Sequence, residues 1–239
     1  MQVNWNYIKG VTLLLFVIFL YAFSSHKNGI RKVAHVDVNF TSENNVYITR
    51  ASVNKLLIQN NEEVTNVPKE ILDLNGLETA LKSNPMIKTA EVYLTVNGEV
   101  RADVEQRRPI ARVATNTSFY IDEEGLLMPL SVNHTARVPL VTGKVSKNDL
   151  SNVHHIAKII HEDAFLKKHI IEIIQDQNKN ITLKTRILDF EIFIGQLENL
   201  EKKINNLKAF YQKAKKDKTL GNYKKVNLQF ENQVVCTKQ

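Results

Sequence analysis

Residues 77–113 read LETALKSNPMIKTAEVYLTVNGEVRADVEQRRPIARV. Leu77, Ala80 and Leu81 recur at helical spacing and mark one inward face. Asn84-Pro85 stops that helix, because the residue before a proline avoids the α region. Ala90, Val92, Leu94 and Val96 then alternate with polar residues, as do Val100, Ala102 and Val104, and Asn97-Gly98 lies between the two runs. This is a hairpin of two half-buried strands. A plain two-residue Asn97-Gly98 turn pairs Val96 with Glu99 and Leu94 with Arg101, setting apolar against charged along the whole ladder. A slip of one residue turns every side chain to the other face. The spacing therefore predicts a three-residue loop through Glu99 or a bulge beside the turn. The second strand leaves through Arg107, Arg108 and Pro109.

Upstream, Asn75 is placed to cap the helix, with Glu78 three residues on as in a capping box. Asn61–Asp73 is a polar connection containing Pro68. Before it, Thr49 caps a helix running to about Asn60, with Val53, Leu56 and Leu57 inward. Val33–Phe40 alternates as a strand. Strand, helix, helix, strand, strand in so short a span makes a two-layer α+β unit.

Further upstream, Val11–Phe23 carries no charge, and with Ile8 and a snorkelling Lys9 the apolar stretch is about 16 residues, at the lower edge of the transmembrane range. Trp5, Tyr7 and Tyr21 flank it as interfacial aromatics do. The reading is a membrane anchor. The alternatives are a signal peptide cleaved near Ala22-Phe23-Ser24 and a core helix, the latter disfavoured because every face is apolar. Lys9 before the run is outnumbered by Lys27, Arg31 and Lys32 after it, so charge alone points the amino terminus outward.

Downstream, Ala111–Thr115, Ser118–Asp122 and Leu126–Leu130 read as strands, and Pro139–Gly143 as extended chain. Asp149 to about Asp163 is helical, followed by strands at Ile170–Gln175, Ile181–Arg186 and Phe190–Ile194. A long helix from about Gln196 to Lys215 buries Leu197, Leu200, Ile204, Leu207 and Tyr211, and strands at Lys225–Phe230 and Gln233–Thr237 close the chain.

The composition is globular: 239 residues, 43% hydrophobic and 24% charged, with a net charge of +7. Much of the positive excess (Lys208, Lys213, Lys215, Lys216, Lys218) gathers at the end of the long helix, where cations favour the macrodipole. The single cysteine, Cys236, leaves no intrachain disulfide. His154, His155, His161 and His169 cluster near one helix without an H-E-x-x-H pattern, and read as a solvated face rather than a metal site. No nucleophile elbow or P-loop occurs, and Asp122-Glu123-Glu124 before Gly125 reads as a turn. The basic residues show no nucleic-acid-binding spacing. No catalytic residue, metal ligand or cofactor is expected.

In this order the elements resemble the bacterial cell-division family FtsQ, called DivIB in Gram-positives. Leu77–Ala90 is similar to the POTRA pattern of a leucine-rich helix, an Asn-Pro break and an Ile-x-x-Ala strand. Val104–Ala111 resembles the family's V-x-E-R-x-P-x-A junction, with Gln106 ahead of the arginine pair as a departure. Tyr120–Gly125 resembles its aspartate-before-glycine turn, and Pro139–Gly143 its Leu-Pro-x-x-x-Gly segment. Tyr223–Val235 is similar to its terminal strand.

The resemblance implies an α+β chain in four parts: a cytoplasmic tail (1–7), a transmembrane helix (8–25), a βααββ POTRA domain (33–109) and a larger mixed domain on a mainly antiparallel sheet (110–239). It implies a non-enzymatic, single-pass scaffold of the bacterial inner membrane, with its C-terminal domains in the periplasm at the division septum. The implied partners are FtsB-like and FtsL-like proteins, other division proteins through the POTRA domain, and the bilayer, with no nucleic acid. In the family a terminal strand offers an edge to a partner strand, a mode in which backbone groups supply most of the bonds. The matching positions are Val226, Asn227, Leu228, Gln229, Phe230, Glu231 and Asn232, where Gln229 replaces the family's arginine and Phe230 keeps its aromatic. Arg107, Arg108 and Pro109 fall at the domain hinge. A POTRA-containing transport or outer-membrane assembly factor is the alternative function. A periplasmic enzyme is disfavoured by the missing constellation.

Overall fold

The computed structural model describes residues 5–29, 33, 35–42, 45–59, 72–115, 117–188, 190–230 and 233–239. Expectations for Arg31, Lys32, Ala34, Asn116, Glu231, Asn232 and most of the Asn61–Asp73 connection lie outside these residues. The first helix, α1, is continuous from Trp5 to Gly29. Over Trp5–Lys27 it is long and apolar enough to cross a membrane, and none of it is buried by protein. At 1.5 Å per residue it is long enough to span a hydrocarbon core of about 30 Å.

The remaining chain falls into two units that divide between Gln106 and Arg107. The first contains β1 (Val36–Phe40), α2 (Arg50–Gln59), α3 (Leu74–Lys82), β2 (Ile87–Leu94) and β3 (Val100–Gln106). Its sheet runs β1-β3-β2, with β1 parallel and β2 antiparallel to the central β3. Val53 and Leu57 of α2, with Leu77 and Leu81 of α3, are fully buried against Val38, Ala90, Val100, Ala102 and Val104. Thr49 caps α2 as expected, its Oγ1 accepting from Ser52 N–H at 3.1 Å.

The cap of α3 is Asp73 rather than Asn75: its Oδ1 accepts from Gly76 N–H at 2.9 Å. Glu78 closes no capping box. Its Oε1 accepts from Val92 N–H at 3.0 Å and ties the helix to β2.

The hairpin resolves its register with a three-residue loop, set one residue earlier than through Glu99. Leu94 pairs with Val100, Val92 with Ala102 and Ala90 with Val104, so apolar meets apolar. Val96, Asn97 and Gly98 make the loop. Thr95 N–H donates to Glu99 O at 2.8 Å and Gly98 N–H to Thr95 O at 3.0 Å. Gly98 has φ +91°, the left-handed residue such a loop needs. Val96 is consequently removed from the apolar face and is 90% exposed at the tip.

The second unit contains β4 (Pro109–Ala114), β5 (Ser118–Asp122), β6 (Leu127–Met128), β7 (Leu140–Gly143), α4 (Ser151–Glu162), α5 (Ala164–His169), β8 (Ile170–Gln175), β9 (Ile181–Thr185), β10 (Glu191–Gly195), α6 (Leu200–Lys216), β11 (Tyr223–Asn227) and β12 (Val235–Lys238). One sheet takes them in the order β12-β11-β10-β9-β8-β7-β4-β5-β6. It is mixed: β4–β7, β7–β8 and β10–β11 are parallel and the other pairs antiparallel. Two of the parallel pairs follow from helical crossovers, β7 to β8 through α4 and α5, and β10 to β11 through α6. Val153, Ile156, Ala157 and Ile160 of α4, with Leu200, Ile204 and Leu207 of α6, pack on the inward residues of the strands. Tyr211, expected on the buried stripe of α6, is half-buried, and Ala214 is buried instead.

Several element ends differ from the sequence reading: β1 starts at Val36 rather than Val33, β6 is only Leu127–Met128, β11 ends at Asn227 rather than Phe230 and β12 starts at Val235 rather than Gln233. Helix α5 was not expected; Asp163 caps it by accepting from Phe165 and Leu166 N–H. Helix α6 starts at Leu200 rather than near Gln196, because Asn199 takes a left-handed conformation at φ +51° just before it.

Candidate partner-binding site

Strand β11 carries Val226 and Asn227, the first of the positions singled out in the sequence. It is not an edge. It pairs in parallel with β10 and antiparallel with β12, so its backbone groups are engaged on both sides. Val226 and Leu228 point into the core and are buried. Leu228 N–H continues the ladder by donating to Phe193 O at 2.9 Å. Gln229 N–H donates to Asn227 Oδ1 at 3.0 Å, and the Gln229 side chain lies over Gly195. Phe230 is 46% exposed just beyond the strand. Of the positions singled out in the sequence, Val226 and Asn227 thus already have a strand on each side.

The edge is β12, Val235–Lys238, bordered on one side alone among the described residues. Cys236 sits half-buried against the core, and burial pushes its thiol up, which suits packing rather than reactivity. Gln239 N–H donates to Asn222 O at 3.0 Å, toward β11. Amides alternate in direction along an antiparallel strand, so those of Cys236 and Lys238 face the open side. The exposed side chains are Val235, Thr237 and Lys238.

The surface behind this edge is ordered by an alternating charge row on the sheet's outer face. Thr237 stands opposite Lys225, Lys225 opposite Glu191, Glu191 opposite Lys184, and Lys184 opposite Glu172. Lys184 and Glu172 meet at 3.2 Å, and Lys225 lies over the Phe193 ring at 4.6 Å. Opposite charges directly across a pair support the register.

The hinge positions are built into the second unit. Arg107 Nη1 donates to Asp122 Oδ2 at 2.6 Å and to Glu124 Oε2 at 2.9 Å. Burial works against its charge, but the two carboxylates outweigh it and hold the guanidinium firmly charged. Glu123 N–H donates to Arg108 O, and Pro109 begins β4. Immediately before them Gln106 is buried in the first unit, its Nε2 donating to Ile48 O at 2.9 Å. The boundary thus falls between two anchored residues.

Asp122-Glu123-Glu124-Gly125 is a turn, as read. Asp122 Oδ1 accepts from Glu124 and Leu126 N–H, and Gly125 N–H donates to Asp122 O. The histidines are more structural than a solvated face. His154 Nε2 bonds Glu123 O at 3.0 Å, and His169 packs tilted against Phe165 and edge-on to Tyr211. Among the described residues no group of three or more His, Cys, Asp or Glu could hold a metal ion.

Residues 108–237 match the family described as FtsQ/DivIB, C-terminal related, which is more than half of the chain. The chain belongs to that family. Residues 33–105 match the POTRA-like domain. No curated protein matches the chain. The FtsQ/DivIB-type unit thus carries the open β12 edge. The sequence candidate rested on the resemblance of Tyr223–Val235 to the family's terminal strand; the open edge lies one strand further on, at Val235–Lys238.

Proposed function

We propose that this protein is a non-enzymatic, single-pass scaffold of the bacterial divisome. It binds FtsB-like and FtsL-like partners and so helps to localise and regulate septal peptidoglycan synthesis. In this reading α1 anchors the chain in the inner membrane with residues 1–7 in the cytoplasm. The POTRA domain (33–109) and the β domain (110–239) lie in the periplasm and join at Arg107, Arg108 and Pro109. The POTRA domain takes other division proteins. Large domains translocate with little regard to flanking charge, so Lys27 and its neighbours do not oppose this orientation.

The observation that carries the reading is the open edge of β12 in a unit of the FtsQ/DivIB family. An incoming strand bonds the outward amides of Cys236 and Lys238, and Phe230 supplies an apolar contact at the strand's base. Gln229, exposed just before Phe230, borders it. Strand addition tolerates varied side chains, which accommodates the loss of the family's arginine at Gln229.

Co-purification of the full chain with FtsB- and FtsL-like proteins tests the reading. Lys238→Pro removes one outward donor and leaves the pairing with β11 in place, so it weakens binding well beyond Lys238→Ala. Phe230→Asp weakens it while both units stay folded. Unchanged affinity for Lys238→Pro and Phe230→Asp refutes the edge as the site, and enrichment of the chain in the outer membrane refutes the scaffold.

A further inference from the structure

A second feature of the FtsQ/DivIB-type unit lies apart from β12. A cavity of about 360 Å³ opens among the starts of β4, β7 and β8, the ends of α4 and β9, and α5. Its walls are apolar: Ile110, Val138, Pro139, Ile160, Ile170 and Ile171. Arg137, Lys167 and Arg186 also line it, along with His161. No carboxylate pairs with Arg137, Lys167 or Arg186 among the described residues.

Each of these cations sits on backbone that is pinned. Ala136 N–H donates to the hydroxyl of buried Tyr120 at 3.0 Å, and Arg112 N–H donates to Pro139 O at 2.9 Å, so the chain is held on both sides of Arg137. Arg186 N–H donates to His169 O at 2.8 Å. Lys167 lies in α5, whose first turn Asp163 caps, and its own N–H donates to Asp163 O at 2.9 Å. The cations come from three separated segments that the fold brings to one cavity.

His161 lies on the same wall. Burial is the main cause that pushes His161 down, and Lys167 adds to it, with a smaller push from Arg108. Glu123 and Glu162 pull the other way, Glu123 at 3.7 Å from the imidazole, without reversing the direction. Three cations without a carboxylate partner, lining one cavity, leave room for an anion among them.

We propose that this cavity binds a phosphate-type anion, with room on its apolar walls for any carbon attached to it. Two arginine forks and one ammonium suit tetrahedral oxyanions. The isoleucine and proline walls suit attached carbon, and the volume is that of a small-molecule site rather than a groove for a peptide segment. The chemistry is shared by a lipid headgroup and by a free phosphate, and the two are separable by experiment. The site is independent of strand addition at β12.

The test is isothermal titration of the full chain in maltoside micelles with two probes, inorganic pyrophosphate and dihexanoyl phosphatidic acid. Submillimolar binding is expected, weakened on the order of tenfold by each of Arg137→Gln, Lys167→Gln and Arg186→Gln. All three positions are exposed, so circular dichroism and the melting temperature stay unchanged. Tighter binding of the lipid identifies a headgroup as the source, and equal binding identifies a free anion; either supports the site. Absence of heat from both probes at millimolar concentration overturns the proposal, as does binding that the triple variant retains. Displacement of both probes by a short poly-glutamate peptide of higher affinity overturns it in favour of an acidic protein partner.

Discussion

Replacing Arg107 by methionine tests how the second unit begins. The methionine keeps much of the side chain's apolar stem and removes the guanidinium. Two charge-assisted bonds are lost, to Asp122 at 2.6 Å and to Glu124 at 2.9 Å, and they are not of equal weight. Glu124 is 47% exposed, so that arm is worth under about 1 kcal/mol. The Asp122 side chain is 3% exposed, and breaking a buried pair by removing one partner costs about 3–5 kcal/mol. Asp122 keeps the N–H groups of Glu124 and Leu126, which places the cost near the lower bound, about 3 kcal/mol. For a unit of this size that is a fall in melting temperature of roughly 10 °C. Calorimetry of the full chain reads it, and a double-mutant cycle with Asp122→Asn isolates the pair. In the neutral background Arg107→Met is expected to cost less than about 1 kcal/mol, because no buried charge is stranded. Equal costs in both backgrounds, or a cost of less than about 1 kcal/mol alone, would show that Arg107 does not fasten β4 to the β5–β6 turn.

Two further outcomes follow from the same unit. Gly143→Ala is expected to destabilise it by more than about 2 kcal/mol, read as a shifted urea midpoint; Gly143 has φ +90°, and a Cβ there overlaps the backbone oxygen of Gln175 in β8. Burial pushes the Asp163 carboxyl up, but Lys208 and the N–H groups of Leu166 and Phe165 outweigh it and hold it below the ordinary carboxylate range. The folded value lies below the unfolded one, so the stabilisation is complete above about pH 4 and fades as pH falls through the folded value. Asn caps as well as Asp, so Asp163→Asn removes chiefly the charge facing Lys208; it is expected to cost up to about 1 kcal/mol at neutral pH and progressively less in acid, and a cost independent of pH would refute the assignment.

Local pattern carried much of this fold. The alternation in Ala90–Leu94 and Val100–Val104 specified the hairpin and excluded a simple Asn97-Gly98 turn, because one buried face tolerates a single register. The loop's position was one residue off, since Val96 is apolar and the pattern alone could not mark it as the exposed tip. The cap of α3 was misread for a related reason: Asp73 and Asn75 are both good caps, and the choice depends on which oxygen reaches a free N–H, here Gly76. The uncharged run at Val11–Phe23 marked an apolar helix by composition alone, and its continuation to Gly29 adds turns that the hydropathy of single residues does not show.

Chain periodicity and stop signals placed the elements, because each rests on contacts within a few residues; the resemblance of the motifs to known patterns supplied the POTRA-like and FtsQ/DivIB-type units. Strand order was not legible in the same way. That β11 is enclosed and β12 is open depends on a parallel pairing with β10 across the whole of α6, a contact between residues distant in sequence. The cluster of Arg137, Lys167 and Arg186 likewise exists only where β7, α5 and β9 converge. Local spacing sets which face of an element is apolar; which edge stays unpaired, and which cations share a cavity, is decided when distant elements close on a common core.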